Sequence, residues 1–227
     1  MGGAGGAAAL GLALAVAWGT GAALAQPAAG PLQVAPTEAN TALGQQLRST
    51  QANPALAAAA QRQGARVAAV CAHCHGQNGN SVLPDTPNLA GQDPGYLLEQ
   101  MQRFADGRRR NEFMEGLIKA MSAAEKVSAA LYFAQQPVVA ASGGDPALRA
   151  AGKAHYERVC FVCHGSDGRG SEGYARLAGQ QAGYVGRALR RYRDGSTLRA
   201  DPRMAAATQR MTERDIDAVA AYVASMP

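Results

Sequence analysis

Beyond about residue 54 the apolar positions follow a helical period, and no stretch shows the strict alternation of a half-buried strand. The best marked segment occurs twice. Val127, Ala130, Leu131 and Ala134 fall on one helical face, as do Ile216, Val219, Ala220 and Val223. Each set is introduced by a capping-box pattern, Ser122 with Glu125 and Thr212 with Asp215. Further upstream, Tyr96, Leu97, Met101 and Phe104 predict a helix that begins near Asp93-Pro94, with a counterpart from about Ala182 to Tyr192. Gly152, Tyr156 and Cys160 are four apart and predict one stripe of a helix; Gly64 to Val70 is its weaker counterpart. The predicted fold class is all-α.

These paired elements are an internal duplication. A shift of 89 residues carries Cys71-Ala72-His73-Cys74-His75-Gly76 onto Cys160-Phe161-Val162-Cys163-His164-Gly165. A shift of 88 carries Leu89-Ala90-Gly91-Gln92 onto Leu177-Ala178-Gly179-Gln180, Gly95-Tyr96 onto Gly183-Tyr184 and Asp106-Gly107 onto Asp194-Gly195. A shift of 90 carries Met114, Met121 and Tyr132 onto Met204, Met211 and Tyr222. Small insertions in loops account for the drift. Two tandem domains result, residues 54–138 and 146–227, joined by a Gly- and Ser-containing linker at 139–145.

The amino-terminal part differs in kind. Ala7 to Leu24 is almost wholly apolar or small and ends in Ala23-Leu24-Ala25, so residues 1–25 read as a secretory signal peptide cut after Ala25. No Lys or Arg precedes the apolar run, and an uncleaved anchor is the rival reading, although Gly19-Thr20-Gly21 shortens the run. Residues 26–53, rich in Pro, Ala, Gln and Thr with only Glu38 and Arg48 charged, read as a leader or linker.

Aromatic residues make up only 5% of the 227, so domains of this size have little bulky material for a core, and a large apolar cofactor would supply it. All four cysteines lie in the two Cys-x-x-Cys-His patterns. That spacing sets two thiols one helical turn apart to form thioethers with the two vinyl groups of one haem, and turns the adjacent imidazole toward the iron. Two haems c are therefore expected, attached through Cys71 and Cys74, with His75 on the iron, and through Cys160 and Cys163, with His164 on the iron. Structural zinc and a redox dithiol are the rivals; zinc sites bring their clusters closer in sequence, and a dithiol motif wants an α/β setting.

A thioether sulfur on the sixth position raises a haem's potential relative to a second histidine. Each copy offers two methionines seven residues apart. Met121 and Met211 directly precede a helix cap, where an apolar residue acts as a staple, whereas Met114 and Met204 are expected in the preceding loop, free to present sulfur. His73 and His155 compete less well, one pointing away within an attachment loop and the other without a counterpart.

The repeated Cys-x-x-Cys-His-Gly, the Leu-Ala-Gly-Gln-x-x-Gly-Tyr segment, the Asp-Gly turn and the methionine seven residues before Met-Ser/Thr resemble the cytochrome c4 family of dihaem class I cytochromes. The resemblance covers nearly all of residues 60–227. It implies two cytochrome c domains in pseudo-twofold contact, in the periplasm, on or near the membrane, passing electrons toward a terminal oxidase from a donor such as a cytochrome bc complex or a dehydrogenase. It implies His75 with Met114 and His164 with Met204 as iron ligands. It also implies that the Pro87 carbonyl orients the first imidazole; Ala175 stands in the aligned place, which leaves His164 free to be oriented differently and the two potentials free to differ.

The formal charge of +5 sits mainly in the second domain, with 13 Lys and Arg against 9 acids, compared with 8 against 7 in the first. Four haem propionates would bring it to about +1 when both irons are reduced. Arg187, Arg190, Arg191 and Arg193, and the cluster Arg108 to Arg110, are read as a solvated face or, more sharply, as propionate partners or a docking surface for an acidic redox protein. No basic-aromatic interleaving points to nucleic acid. The expected function is outer-sphere electron transfer and not catalysis; the alternatives are a haem-bearing subunit of a periplasmic dehydrogenase and a dihaem enzyme such as a thiosulfate dehydrogenase, whose iron-bound cysteine this chain cannot spare.

Overall fold

A computed structural model describes residues 1–3, 41–141, 145–170 and 173–227. The expected signal peptide beyond residue 3, and the leader up to residue 40, lie outside these described residues. All the elements named below belong to one compact unit, Pro36–Pro227.

Among the described residues of this unit the regular elements are helices, with one isolated antiparallel bridge between Arg109 and Arg199. The elements are α1 (Ala42–Ala52), α2 (Pro54–His75), α3 (Pro94–Ala105), α4 (Glu112–Ala120) and α5 (Ala123–Ala134), then α6 (Pro146–His155), α7 (Phe161–His164), α8 (Ala182–Arg193), α9 (Pro202–Thr208) and α10 (Glu213–Ser225). The expected all-α class holds. So do both capping boxes, with Ser122 and Glu125 and then Thr212 and Asp215 bonding each other reciprocally.

The last part of the expected leader is a helix. Thr41 caps α1 through Gly44 N–H, and Leu47, 7% exposed, joins the first core with Leu98, Val127 and Phe133. Ala, Gln and Leu are good helix formers, and composition alone had hidden the Leu43/Leu47 stripe. The second core gathers Tyr156, Ile216, Val219, Val223, Met211 and Met226.

Each half is built on one crossing, α2 against α5 and α6 against α10. Glycine permits both. A methyl group on Gly64 would overlap the Ser128 carbonyl and come within 2.5 Å of Tyr132 Cβ; one on Gly152 would overlap the Ala218 carbonyl and come within 2.8 Å of Tyr222 Cβ. Gly64 and Gly152 are 88 residues apart, but the cysteines that follow are 89 apart, so the second half carries one extra residue between crossing and attachment site. That residue does not sit in a loop. It is absorbed as a π turn at Tyr156–Cys160, in which Phe161 N–H bonds to the Tyr156 carbonyl, the way helices commonly take up a single insertion. The first half runs through the same region as one unbroken α2.

Candidate haem sites and the interface between them

Both attachment motifs end a helix. α2 stops at His75 and α7 at His164, and each is followed by a glycine at positive φ, Gly76 at 75° and Gly165 at 78°. A left-handed residue there turns the chain away immediately after the histidine. The loop that follows folds back the same way in both halves. The Gly79 carbonyl accepts from Leu89 N–H (2.7 Å) and Ala90 N–H (3.1 Å), and the Gly168 carbonyl from Leu177 N–H (2.7 Å) and Ala178 N–H (3.0 Å).

This fold-back delivers a carbonyl to each imidazole. His75 Nδ1 lies 2.8 Å from the Pro87 oxygen and His164 Nδ1 lies 2.9 Å from the Ala175 oxygen. A carbonyl only accepts, so Nδ1 carries the proton and Nε2 keeps its lone pair for a metal. Burial holds both imidazoles below their ordinary pKa, against the opposing effect of those carbonyls, which keeps them in the neutral, metal-binding form. Replacing Pro87 by Ala175 therefore does not reorient the second histidine. The bond needs a backbone oxygen, and the loop closure supplies it.

The thiols fit thioether attachment better than metal thiolate binding. Burial raises the Cys71 thiol above its usual pKa and pushes Cys160 up to about 11, so both stand as thiols and not thiolates. Among the described residues no three His, Cys, Asp or Glu gather around a common point. Beside Cys71, an open hollow of about 370 Å³ is lined by Val67, Val70, Leu117 and Met121 on its apolar side and by Gln63, Arg66 and Glu125 on its polar side.

The methionines correct one expectation and complicate another. Met114 and Met204 lie on helices, not in loops: Asn111 caps α4 by accepting from Met114 N–H (3.0 Å), and Asp201 caps α9 at Met204 (3.4 Å). These caps were present in the sequence as Asn111 and Asp201-Pro202. Both methionines are half-buried, and Met204 packs against the second core. Met211 is buried with Ile216, as a staple requires. Met121 has Lys126 at the position where Met211 has Ile216, so it has no apolar staple partner there and faces the cavity beside Cys71.

Five of the seven outer arginines are ion-paired. Arg190 bonds Glu213 and Asp217, Arg193 bonds Asp194 and Glu213, Arg108 bonds Asp106, Arg110 bonds Glu115, and Arg187 reaches Asp85 of the other half. Sequence reasoning passed over the residues that join the halves. Gln92 accepts from Arg176 N–H (2.6 Å) and donates to the Arg176 carbonyl (3.0 Å); Gln180 does the same to Asn88 (2.6 and 3.1 Å). Asn88 and Arg176 are themselves equivalent at a shift of 88, so the glutamine of each Leu-Ala-Gly-Gln segment grips the other half about a pseudo-twofold axis. The signal available in the sequence was a polar residue repeated inside an apolar turn.

The cytochrome c family model matches residues 61–130 and 149–227, once for each half. The chain is 36% identical over 168 residues to cytochrome c4 of Pseudomonas aeruginosa, covering 69% of this chain and 83% of that one. It is 33% identical over 174 residues to the thiosulfate dehydrogenase electron acceptor of Thiomonas intermedia, covering 70% and 80%. The crystal structure of reduced cytochrome c4 from Pseudomonas stutzeri superposes with a TM-score of 0.67 at 30% identity, covering 75% of this chain and 98% of that one. Duplicated attachment motifs, carbonyl-oriented histidines and these likenesses lead to one conclusion: the chain belongs to the cytochrome c4 family, and its cofactors are two covalently bound haems c.

Proposed function

We propose that the protein is a periplasmic one-electron carrier of a respiratory chain, taking electrons from a cytochrome bc complex or a dehydrogenase and passing them toward a terminal oxidase. The observation that carries this reading is the duplicated histidine site. In each half the imidazole is locked by a backbone carbonyl, and all four cysteines stand in attachment motifs, so none is left to ligate iron. The haems supply the redox change when bound; the protein supplies attachment, axial ligation and a low-dielectric surround. Cys71, Cys74 and His75 with Met114, and Cys160, Cys163 and His164 with Met204, are the proposed binding residues. Peripheral association suits a carrier working between membrane complexes, and among the described residues no helix is long and apolar enough to cross a membrane.

A second reading, electron acceptor of a thiosulfate dehydrogenase or a similar enzyme, is favoured by the Thiomonas relative of that name. It keeps the carrier chemistry and changes only the donor.

A potentiometric titration with optical spectra tests the ligands. Ferric haem with a thioether ligand has a weak band near the red end. Met114→Ala or Met204→Ala is expected to abolish half of that band and to lower one midpoint potential, on a scale where axial ligand choice spans about 0.8 V. Loss of the band in Met121→Ala, with Met114→Ala unchanged, would move the first ligand to Met121. Rapid turnover of peroxide or thiosulfate by the protein alone would replace the carrier reading with an enzyme.

A further inference from the structure

The rim of the second haem site carries a contact that has no counterpart in the first. Arg203, on α9, holds its guanidinium 5.2 Å from the centre of the Tyr174 ring, within the range of a cation–π contact. Its Nη1 lies 3.4 Å from the Tyr174 hydroxyl, to which it donates. The rest of the fork is held from behind: Nε donates to Asp201 Oδ1 (3.4 Å) and Nη2 to Asp201 Oδ2 (3.3 Å). Asp201 also caps α9, accepting from Arg203 N–H (3.0 Å) and Met204 N–H (3.4 Å). One carboxylate therefore fixes both the start of the helix and the aim of the guanidinium.

The two ends of this contact belong to opposite sides of the site. Tyr174 directly precedes Ala175, whose carbonyl holds His164 Nδ1, and its ring meets the imidazole edge-on at 6.4 Å. Arg203 directly precedes Met204, the proposed sulfur ligand. A haem held between histidine and methionine separates those two sides everywhere except round its edge. A direct contact from Arg203 to Tyr174 must therefore pass round that edge. The Arg203 side chain is 50% exposed, so the crossing lies at the surface. In the first half Thr86 and Phe113 occupy the equivalent places, at shifts of 88 and 90. Thr86 has no ring to receive a cation, Phe113 has no charge to offer, and Phe113 stands 67% exposed.

We propose that Arg203 and Tyr174 are positioning residues that form a strap across the mouth of the second haem, holding the Met204 helix to the histidine loop and slowing the entry of outside ligands. The first haem's mouth has no strap. This rests on the two haems c and on Met204 as the second sulfur ligand. Ligand exchange is where a strap acts. An entering imidazole forms one Fe–N bond as one Fe–S bond breaks, with no electron transferred and no change in net charge, and the methionine has to swing away from the iron. Tying the start of α9 to Tyr174 resists that swing. A cation–π contact together with one hydrogen bond slows it about tenfold.

The test mixes the ferric full-length holoprotein with imidazole and follows the main haem absorption band, so that both sites report whichever methionine is bound. Two phases are expected. The slower one accelerates about tenfold in Arg203→Gln and in Tyr174→Thr, the latter installing the first-half residue. Tyr174→Phe keeps the ring and loses the hydroxyl; it is expected to accelerate that phase about threefold, and it carries the test should Arg203→Gln not accumulate. Transplanting the strap, as Thr86→Tyr with Phe113→Arg, is expected to slow the faster phase. Urea midpoints of parent and variants separate a strap from general loosening: a slow phase that accelerates only in step with lost stability overturns the proposal. So does a single rate for both haems in the parent, or a slow phase unmoved in Arg203→Gln and Tyr174→Thr. Failure of the ligand assignment shows elsewhere, as a red-end band that survives undiminished in Met204→Ala.

Discussion

The two halves solve one problem with unequal means. Backbone devices are the same in both: a helix ending on the histidine, a glycine turning the chain, a carbonyl closing on Nδ1, a glutamine reaching across the axis. The side chains around those devices are different. His75 has Pro87 and Thr86 beside it, whereas His164 has Ala175 and Tyr174, whose ring meets the imidazole edge-on at 6.4 Å and carries Arg203 at 5.2 Å. The first helix is unbroken and the second bulges. Duplication therefore preserves geometry that the backbone enforces and lets side chains diverge, so the two sites are expected to share ligation and differ in environment.

The helix crossings are where this comparison is most easily broken. In Gly152→Ala the new methyl meets a backbone carbonyl that cannot rotate away, and overpacking of that kind costs about 3 kcal/mol. Gly64→Ala is expected to cost a similar amount, but in the first half. Calorimetry of the holoprotein should show each variant lowering the transition of its own half first; equal loss in both halves from either variant would mean that the halves melt as one.

The glutamines come next. Gln180→Ala strands the buried Asn88 N–H and carbonyl, at about 2 kcal/mol for buried groups left without partners, whereas Gln92→Ala strands those of the half-buried Arg176, where water takes over part of the bonding and the cost falls to about 1 kcal/mol. The two costs are expected to add, since the bonds are separate. Urea titration of both single variants and the double variant checks this; a larger loss from Gln92→Ala, or a double variant that departs from the sum, would overturn it.

A smaller effect belongs to the second half alone. Tyr156 is fully buried and its hydroxyl donates to the Gly165 carbonyl at 2.7 Å, immediately after the attachment motif. Tyr156→Phe is expected to cost about 1 kcal/mol and to loosen the loop after His164 without affecting the first haem, as read by hydrogen exchange at Gly165 to Gly168. The first half has no equivalent, because Ala68 occupies the place at a shift of 88.

Legibility in the sequence followed the same division. The helices and the capping boxes could be read, because spacing and local capping encode them, whereas the Pro87 contact was implied only by the family resemblance. The π turn was visible only as a change of shift from 88 to 89, and it was assigned to a loop because insertions usually fall there. Helix α1 was lost in its Ala- and Gln-rich composition, and α4 and α9 were taken for loops although Asn111 and Asp201 were available as caps. The Gln92 and Gln180 grips and the bonds from Arg109 to Tyr184 and from Arg199 to Tyr96 depend on how the halves meet, and no local pattern reports that.

The smallest expected difference lies in acid, at the two capping boxes. Ser122 N–H and hydroxyl hold the Glu125 carboxyl below its usual pKa, and the Thr212 hydroxyl and N–H do the same for Asp215. Both carboxyls are thus lower in the folded protein than in the unfolded chain, where they sit near about 4. Each cap therefore contributes above that value, and its contribution is lost as pH falls through the folded pKa. Asp215 also faces His155, at 3.7 Å, and Arg158, while Glu125 has no such cations among its influences. Its stabilisation persists to lower pH for that reason. Asp215→Asn should therefore flatten the acid limb of the melting curve more than Glu125→Gln, and 0.5 M salt should narrow the gap, since exposed charges are screened over about 10 Å even at 0.1 M. Equal flattening by the two variants would mean that the caps titrate alike and that His155 and Arg158 add nothing at the surface.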